Sequence, residues 1–254
     1  VLETAFKIKP DIFGLPTSLA QIYLNGHQTR AVKLATMDLA KDPKFDRALR
    51  VRGVAYMMLG DYRKALLDLK PVFDNAPNVP GIAEGLFDSY ISVRNYKEAL
   101  RPGVFMIAFT ALPDVGNARL QDKMVRLLEK LPRDYVQTQI AAIEKEIDER
   151  SAMAAFHLQL GQIYDKVGYY KMAMTQYERA IELDPKYVQA YYQLGLDYES
   201  RTNDWRKALG CYQTAHFLRS WDGKIYLSYL RLLDRINNRN NDLAQKTKSL
   251  LRGH

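Results

Sequence analysis

The feature that most constrains the fold is a period of about 34 residues that recurs along the chain. Five prolines follow it with successive spacings of 33, 34, 36 and 72 residues, the last being twice 36: Pro10, Pro43, Pro77, Pro113 and Pro185. Alanines recur at a similar spacing: Ala31, Ala65 and Ala99 are 34 residues apart, and Ala173 and Ala208 are 35 apart. Self-similarity at a fixed period of about 20–50 residues is the signature of a repeat architecture. The chain is therefore expected to be an array of similar units.

Each unit is predicted to contain two helices. Four small or apolar residues recur at i, i+4, i+7 and i+8, which is one face of an α-helix: Ala173, Tyr177, Ala180 and Ile181. Asp184 and Pro185 end this helix, because proline disfavours helical geometry in the residue before it. Gly168 separates it from an earlier helix that carries Gly161 and Tyr164. A unit is thus two antiparallel helices joined by a short turn.

The repeated residue types suit close packing of two helices rather than chemistry. Gly161 and Ala173 have little or no side chain, so the two backbones can approach each other. Tyr164 and Tyr177 supply large apolar bodies that fill the space between neighbouring units. These residues are therefore expected to pack the helices together and not to take part in catalysis.

This pattern resembles the tetratricopeptide repeat, whose signature runs Leu-Gly, Tyr, Ala, an aromatic residue, Ala and Pro over about 34 residues. The match is best over residues 154–187, through Leu160, Gly161, Tyr164, Gly168, Tyr170, Ala173, Tyr177, Ala180 and Pro185. Residues 188–222 match with one residue inserted near Thr202 and without a closing proline, through Leu194, Gly195, Tyr198, Trp205, Ala208, Tyr212 and Ala215. Residues 46–79 match through Gly53, Tyr56, Gly60, Tyr62, Ala65 and Pro77, and residues 13–45 and 80–115 match more weakly.

The resemblance implies an all-α fold, a right-handed α-solenoid of antiparallel helical hairpins with about seven units and a leading half unit. Ala5 and Pro10 stand five residues apart, as Ala180 and Pro185 do, so Val1–Lys9 is expected to be the second helix of a unit. Its first helix would precede Val1 in a longer natural chain or come from elsewhere. The array 1–254 is expected to divide into N-terminal repeats (13–115), a degenerate helical pair (116–150), the best-matching repeats (154–222) and capping helices (223–254).

Two of these regions lack the signature. Residues 116–150 still form two apolar stripes, Leu120, Met124, Leu127, Leu128 and Leu131 on one helix and Val136, Ile140, Ile143 and Ile147 on the other. Residues 223–254 are predicted to form two helices, around Ile225–Ile236 and Leu243–Leu251, broken by the polar run NNRNND at 237–242. A polar, atypical last unit is what a solenoid needs at an exposed end.

Several functional classes are disfavoured. Cys211 is the only cysteine, so no internal disulfide or cysteine-based metal cluster can form, and a small buried hydrophobic role is expected for it. The histidines, His27, His157, His216 and His254, have no metal-ligand spacing, and no phosphate-binding glycine loop occurs. Neither catalysis, a cofactor nor a small-molecule substrate is predicted, and EKEIDE at 144–149 is expected to be a solvated helix face. No run approaches 18 apolar residues, so a soluble protein is expected, cytoplasmic or bacterial periplasmic.

The resemblance implies that the first helices line a concave groove that holds a peptide or helix of a protein partner. Carried over to this chain, the groove residues are Arg47, Arg50, Val54, Met57, Met58, Glu84, Asp88, Ile91, Ser92, Leu158, Gln162, Asp165, Lys166, Gln189, Tyr192, Leu196, Glu199 and Ser200. Arg47 and Arg50 are expected to face Glu84 and Asp88 of the next unit, which predicts a mixed, amphipathic groove. Of the adjacent methionines, at least one is expected to be exposed. The Lys and Asn clamp of chaperone-binding family members is absent as a set.

The C-terminal end provides a second candidate surface. The chain has a formal charge of +8, and residues 201–254 hold 11 Lys and Arg against 4 Asp and Glu. Arg231, Arg235 and Arg239 are four residues apart, which places the first two on one helical face. The patch is interpreted as a solvated end cap, or alternatively as a surface for an acidic protein, nucleic acid or an anionic membrane.

Overall fold

The computed structural model describes residues 1–79, 81–110, 118–147, 154–219 and 222–252. Every regular element in these ranges is helical, and no strand occurs among them. The helices are α1 Leu2–Ile8, α2 Leu15–Tyr23, α3 Gln28–Leu39, α4 Asp46–Met58, α5 Tyr62–Asn75, α6 Ile82–Ser92, α7 Tyr96–Thr110, α8 Ala118–Leu128, α9 Arg133–Ile147, α10 Ala154–Lys166, α11 Tyr170–Leu183, α12 Val188–Asp197, a π-turn Tyr198–Thr202, α13 Trp205–Leu218 and α14 Gly223–Arg252.

The chain folds as two compact units. Unit 1 comprises Val1–Thr110 and Asp122–Asp148, and unit 2 comprises Ala111–Gln121 and Glu149–His254. In unit 1, successive helices pair as hairpins α2–α3, α4–α5 and α6–α7, and α9 packs on α7. In unit 2, the hairpins are α10–α11 and α12–α13, and α14 packs on α13. The predicted all-α solenoid fold built from helical hairpins is confirmed.

In each hairpin that matches the repeat signature, one residue of the turn between the two helices adopts the left-handed backbone conformation. The φ angles at these positions are 96° at Gly26, 78° at Gly60, 60° at Arg94, 79° at Gly168 and 54° at Asn203. Left-handed backbone disfavours a residue with a Cβ atom, which explains why glycine occupies three of the five turns. The turn therefore recurs with the same geometry even where the glycine of the signature is missing.

Close approach of the two helices explains the glycines on the first helices. A Cβ atom built on Gly161 would lie 2.5 Å from Cε1 of Tyr177, and one on Gly195 would lie 2.7 Å from Cε1 of Tyr212. Both tyrosines have 0% of their surface exposed. The predicted packing of a second-helix aromatic residue against a first-helix glycine is thus present in both hairpins of unit 2.

The region without the signature also forms two helices, as predicted. The residues of both predicted stripes are buried in α8, in α9 and in the turn between them: Leu120, Met124, Leu127, Leu128 and Leu131, then Val136, Ile140, Ile143 and Ile147. The acidic end of α9 is not simply solvated, however. Arg101 of α7 donates through Nε to Glu146 (2.9 Å to Oε2) and through a terminal nitrogen to Asp74 (2.9 Å to Oδ1). Glu146 therefore ties α9 to α7 by an ion pair that the sequence pattern did not reveal.

The residue inserted near Thr202 is accommodated within helical structure. Tyr198–Thr202 forms a π-turn directly after α12, and Asn203 then takes the left-handed conformation. The Asp204 amide donates to the Tyr198 carbonyl at 2.9 Å, which closes the widened turn. A π-turn is the usual way in which a helix absorbs one extra residue.

The two-helix prediction for residues 223–254 is wrong, because α14 continues without a break from Gly223 to Arg252. Asparagine disfavours a helix by at most about 0.7 kcal/mol, and the NNRNND run contains neither glycine nor proline. The Asn238 amide also donates to the Asp234 carboxylate at 3.1 Å, one helical turn earlier. Polarity alone is therefore not a helix break.

Candidate partner-binding groove

The first helices of unit 1 lie side by side and present one continuous surface. Helix α2 contacts α4, and α4 contacts α6. A terminal nitrogen of Arg47 on α4 donates to Oε1 of Gln21 on α2 at 3.2 Å. On the other side of α4, the Met57 sulfur packs against α6 at Gly85, where a Cβ atom would lie 3.0 Å away. Several of the predicted groove residues thus lie on adjacent helices.

A cavity of about 230 Å³ opens on this surface of unit 1. Residues of α2 and α4 and the start of α6 line it: Gln21, Leu24, Arg47, Arg50, Val51, Val54, Gly81 and Ile82. Its floor is apolar, and the two arginine side chains supply its charge. Arg47 is exposed and Arg50 is half-buried, and neither forms an ion pair with a carboxylate of the described residues. The cavity combines apolar surface with two guanidinium groups that have no carboxylate partner among the described residues.

The two acids that were expected to face these arginines have a cation of their own. Glu84 and Asp88 instead bind Lys123 of α8, whose ammonium lies 2.9 Å from Glu84 Oε1 and 2.7 Å from Asp88 Oδ1. Lys123 is only partly exposed, so the lysine compensates the two acids locally. Sequence analysis missed this lysine because α8 carries no repeat signature from which its position could be carried over. As a result, the cavity keeps its positive charge.

The apolar candidates of unit 1 differ in exposure. Met58 is 52% exposed, whereas Met57 is half-buried against α6. Ile91 is also half-buried, near the end of α6. One methionine of the pair thus faces solvent, as adjacent positions on a helix require.

In unit 2, two predicted groove residues are too buried to meet a partner. Leu158 is 6% exposed and Tyr192 is 4% exposed. The Tyr192 ring lies 5.9 Å from that of Tyr212, within the core formed by α12, α13 and α14, and Leu196 packs at the edge of the same cluster. Gln162 is half-buried and accepts a hydrogen bond from Gln121 at 2.9 Å. Helix packing therefore uses positions that the family places on the groove.

The two packing tyrosines of unit 2 are anchored by repeat-equivalent acids. The Tyr177 hydroxyl donates to Oδ2 of Asp165 at 2.7 Å, and the Tyr212 hydroxyl donates to Oε2 of Glu199 at 2.9 Å. Burial, followed by the neighbouring carboxylate, raises the pKa of both phenols far above the ordinary value, so both remain donors at physiological pH. Asp165 and Glu199, two of the predicted groove residues, are thus hydrogen-bonded within their own hairpins.

Two of the three arginines in the basic patch at the C-terminal end contact other side chains of unit 2. The guanidinium carbons of Arg235 and Arg239 lie 4.9 Å and 4.7 Å from the centre of the Trp205 ring. Arg235 also lies 3.7 Å from Glu199. These cation–π contacts help to dock α14 on the start of α13. Arg231 is exposed on the preceding turn of α14.

The described residues offer no evident catalytic arrangement. No group of three or more His, Cys, Asp or Glu among them could hold a metal ion, and no helix in the described part of the chain is long and apolar enough to cross a membrane. Burial raises the pKa of the Cys211 thiol to about 11, so little thiolate exists at neutral pH. This half-buried cysteine is therefore a poor nucleophile. His157 is buried, with Nδ1 2.5 Å from the Gln176 amide oxygen.

Hairpins that pack through small first-helix residues and second-helix aromatics define a helical-repeat protein of the solenoid class. Residues 161–200 match the family model described as TPR repeat. The resemblance to the tetratricopeptide-repeat family is thereby confirmed, and the matched segment runs from the middle of α10 through α11 and α12 into the π-turn.

Several known proteins are similar to this chain. Human Superkiller complex protein 3 is 24% identical over 184 residues, which cover 69% of this chain and 11% of that protein. The chain thus spans about a tenth of the length of the curated relative. A thermophilic TPR protein of Thermus thermophilus is 20% identical, with a TM-score of 0.36 and coverage of 86% of this chain and 97% of that one. A tetratricopeptide repeat protein of Parabacteroides merdae is 18% identical, with a TM-score of 0.42 and coverage of 91% and 90%.

Proposed function

We propose that this protein is a protein–protein interaction scaffold whose first helices bind a peptide or helix of a partner. Tetratricopeptide folds support binding of a protein partner in general. The finer proposal is that the unit 1 cavity receives an acidic side chain of the partner together with a neighbouring apolar one. The similarity to a protein named as a component of a complex agrees with a role in assembly.

One observation carries this proposal: two arginines without an acidic partner flank an apolar cavity. A guanidinium fork matches a carboxylate in a bidentate manner, and such charge-assisted hydrogen bonds are stronger than neutral ones. Leu24, Val54 and Ile82 offer apolar surface, which stabilises a buried apolar group by about 25 cal/mol per Å². Because Lys123 already compensates Glu84 and Asp88, those acids do not compete strongly for Arg47 and Arg50.

The proposed role requires no catalysis, cofactor or small-molecule substrate. The alternative, a basic surface within residues 201–254 that binds an acidic protein, nucleic acid or an anionic membrane, remains a prediction. The carboxylate of Glu199, 3.7 Å from Arg235, offsets part of the positive charge of this surface. Arg231 is exposed and is the residue of this patch whose change to Glu tests the alternative.

A selection from a phage-displayed random peptide library tests the proposed function. Peptides that bind the intact chain are expected to be enriched in Asp or Glu next to Leu, Ile, Phe or Val. Their Kd, measured by fluorescence polarisation, should rise at least about tenfold in the Arg47→Glu, Arg50→Glu variant, since losing a charged hydrogen-bonded pair removes roughly 1.5–3 kcal/mol.

The matched control is the Lys33→Glu, Arg63→Glu variant, which makes the same charge change at exposed positions on the second helices α3 and α5. This control should bind the selected peptides almost as tightly as the unmodified protein at about 0.15 M salt, where surface charges are screened beyond roughly 8 Å. Equal affinity of the groove variant and the unmodified protein would contradict the proposal. Loss of affinity only on Arg231→Glu would favour the basic C-terminal surface instead.

A further inference from the structure

Two carboxyl groups meet inside unit 2 without a donor between them. Asp165 lies in the last turn of α10, and Asp197 ends α12, the next first helix along the array. Their side chains lie within hydrogen-bonding reach of each other. Asp165 Oδ1 and Asp197 Oδ2 are both buried and receive no hydrogen bond from the described residues. Since two carboxylates can only accept hydrogen bonds, this contact is unfavourable when both are ionised.

The surroundings show which carboxyl holds the proton more readily. Asp197 is only 4% exposed, whereas Asp165 is half-buried and already accepts a hydrogen bond from the Tyr177 hydroxyl at 2.7 Å. That donor favours the ionised form of Asp165. Arg201 is the nearby cation, but its guanidinium stacks over the Tyr170 ring, 3.9 Å from its centre, and forms no ion pair with either acid. The groups that face the pair are therefore Tyr177 from α11 and Arg201 from the π-turn.

The electrostatics support the same assignment. Burial, followed by the charge of Asp165, raises the pKa of Asp197 to about 7. Burial also raises the pKa of Asp165, although the Tyr177 hydroxyl and Arg201 oppose that shift. Two carboxyl groups that share a site behave in this way, because the first ionisation makes the second unfavourable.

We infer that Asp197 is protonated in the folded protein and donates this proton to Asp165, so that a carboxylic acid–carboxylate hydrogen bond joins α10 to α12. When the proton is lost, the same two side chains become a pair of buried negative charges between successive repeats. Unit 2 therefore contains a pH-sensitive contact, adjacent to the π-turn, whose stabilising form exists on the acidic side of neutrality.

The sign of the pH dependence follows from the protons bound in each state. An aspartate in the unfolded chain has a pKa of about 3.9, so above that pH the unfolded state has released a proton that the folded state still holds. The contribution of the pair to stability is present below this pH and is lost as the pH rises through the range up to about 7. Within that window the unfolding constant increases up to about tenfold per pH unit. An aspartate in an ordinary salt bridge gives the opposite dependence.

Tryptophan fluorescence can isolate unit 2, because Trp205 and Trp221 are the two tryptophans of the sequence and both follow residue 149. Urea unfolding of the full chain would be followed from about pH 5 to pH 8, a range that brackets the expected ionisation of Asp197. The comparison is with Asp197→Asn, whose amide donates a hydrogen bond at every pH. The ratio of the wild-type unfolding constant to that of the variant is expected to rise with pH, by up to about tenfold per unit below neutrality, and then to level off.

All other ionisable groups of unit 2 are present in both proteins, so their effect cancels in this ratio. Glu182→Gln removes an acid whose side chain is 64% exposed and serves as the control, with a ratio that stays flat. A ratio for Asp197→Asn that is also independent of pH would overturn the inference. If that variant does not fold, an NMR pH titration of the carbon-13 signals of the aspartate carboxyl groups in the unmodified protein replaces the unfolding experiment. One of them is expected to titrate near neutral pH, and titration of all of them below about pH 5 would overturn the shared proton.

Discussion

Tyr177→Ala is expected to lower the free energy of unfolding of unit 2 by roughly 3–5 kcal/mol, the range measured for truncation of large buried aromatics. The Tyr177 side chain has 0% of its surface exposed and lies against the backbone of Gly161, so its removal leaves a cavity between α10 and α11. The variant also deprives Asp165 of the hydroxyl that donates to it at 2.7 Å. Urea unfolding followed by tryptophan fluorescence measures the effect.

Two further variants separate the contributions of the ring and the hydroxyl. Tyr177→Phe keeps the ring and removes the hydroxyl that donates to the Asp165 carboxylate, so it should cost roughly 1.5–3 kcal/mol, the net value of a hydrogen bond to a charged group. Tyr226→Ala truncates a tyrosine of the same unit that is 43% exposed and should have a much smaller effect. If Tyr177→Ala were no more damaging than Tyr226→Ala, close packing of the hairpin could not be the source of its stability.

Arg52→Ala is expected to destabilise unit 1 by about 2–4 kcal/mol, because it leaves a buried carboxylate without its charge partner. Asp68 is 4% exposed, and Arg52 binds it in a bidentate manner, with Nε 2.8 Å and a terminal nitrogen 2.7 Å from its two oxygens. The arginine side chain is 21% exposed, so solvent compensates part of the loss. Hydrogen exchange of peptides from α4 and α5, measured by mass spectrometry, follows the opening of this hairpin directly.

The matched control for Arg52 is Lys70→Ala on α5. Its ammonium lies 2.6 Å from Asp74, but the two side chains are 55% and 40% exposed. Such surface pairs contribute about 0–1 kcal/mol, so exchange should change little. Equal protection factors in the two variants would mean that the Arg52–Asp68 pair is no more important than a surface ion pair.

The fold could be predicted from the sequence because the repeat signature specifies local contacts within one hairpin. Glycine at position 161 and tyrosine at position 177 predict a close helix pair, and the structure contains it. The extra residue near Thr202 was visible as a shift of the period, although its accommodation in a π-turn depends on backbone hydrogen bonds that no pattern displays. The continuity of α14 was missed because a polar run was mistaken for a break.

The candidate site was less predictable because it depends on contacts between units. Arg47 and Arg50 were identified by their places in the repeat, but their freedom from acidic partners depends on Lys123, in a region without the signature. Leu158 and Tyr192 were assigned to the groove by family position, and the particular packing of unit 2 buries them. The contact between Asp165 and Asp197 joins two helices more than thirty residues apart, and its burial is a tertiary property.

The most direct test of the proposed groove is photo-crosslinking from inside the cavity of unit 1. Gln21 is exposed and lines that cavity, so a benzophenone amino acid can replace it, and the same substitution at Leu67 on α5, 76% exposed, provides the control. Peptides selected by the intact chain are expected to crosslink to position 21, and to lose this crosslink when Arg47 and Arg50 are both changed to Glu. Crosslinking that is equal at positions 21 and 67, or that survives the double change, would contradict the assignment of the partner to this groove.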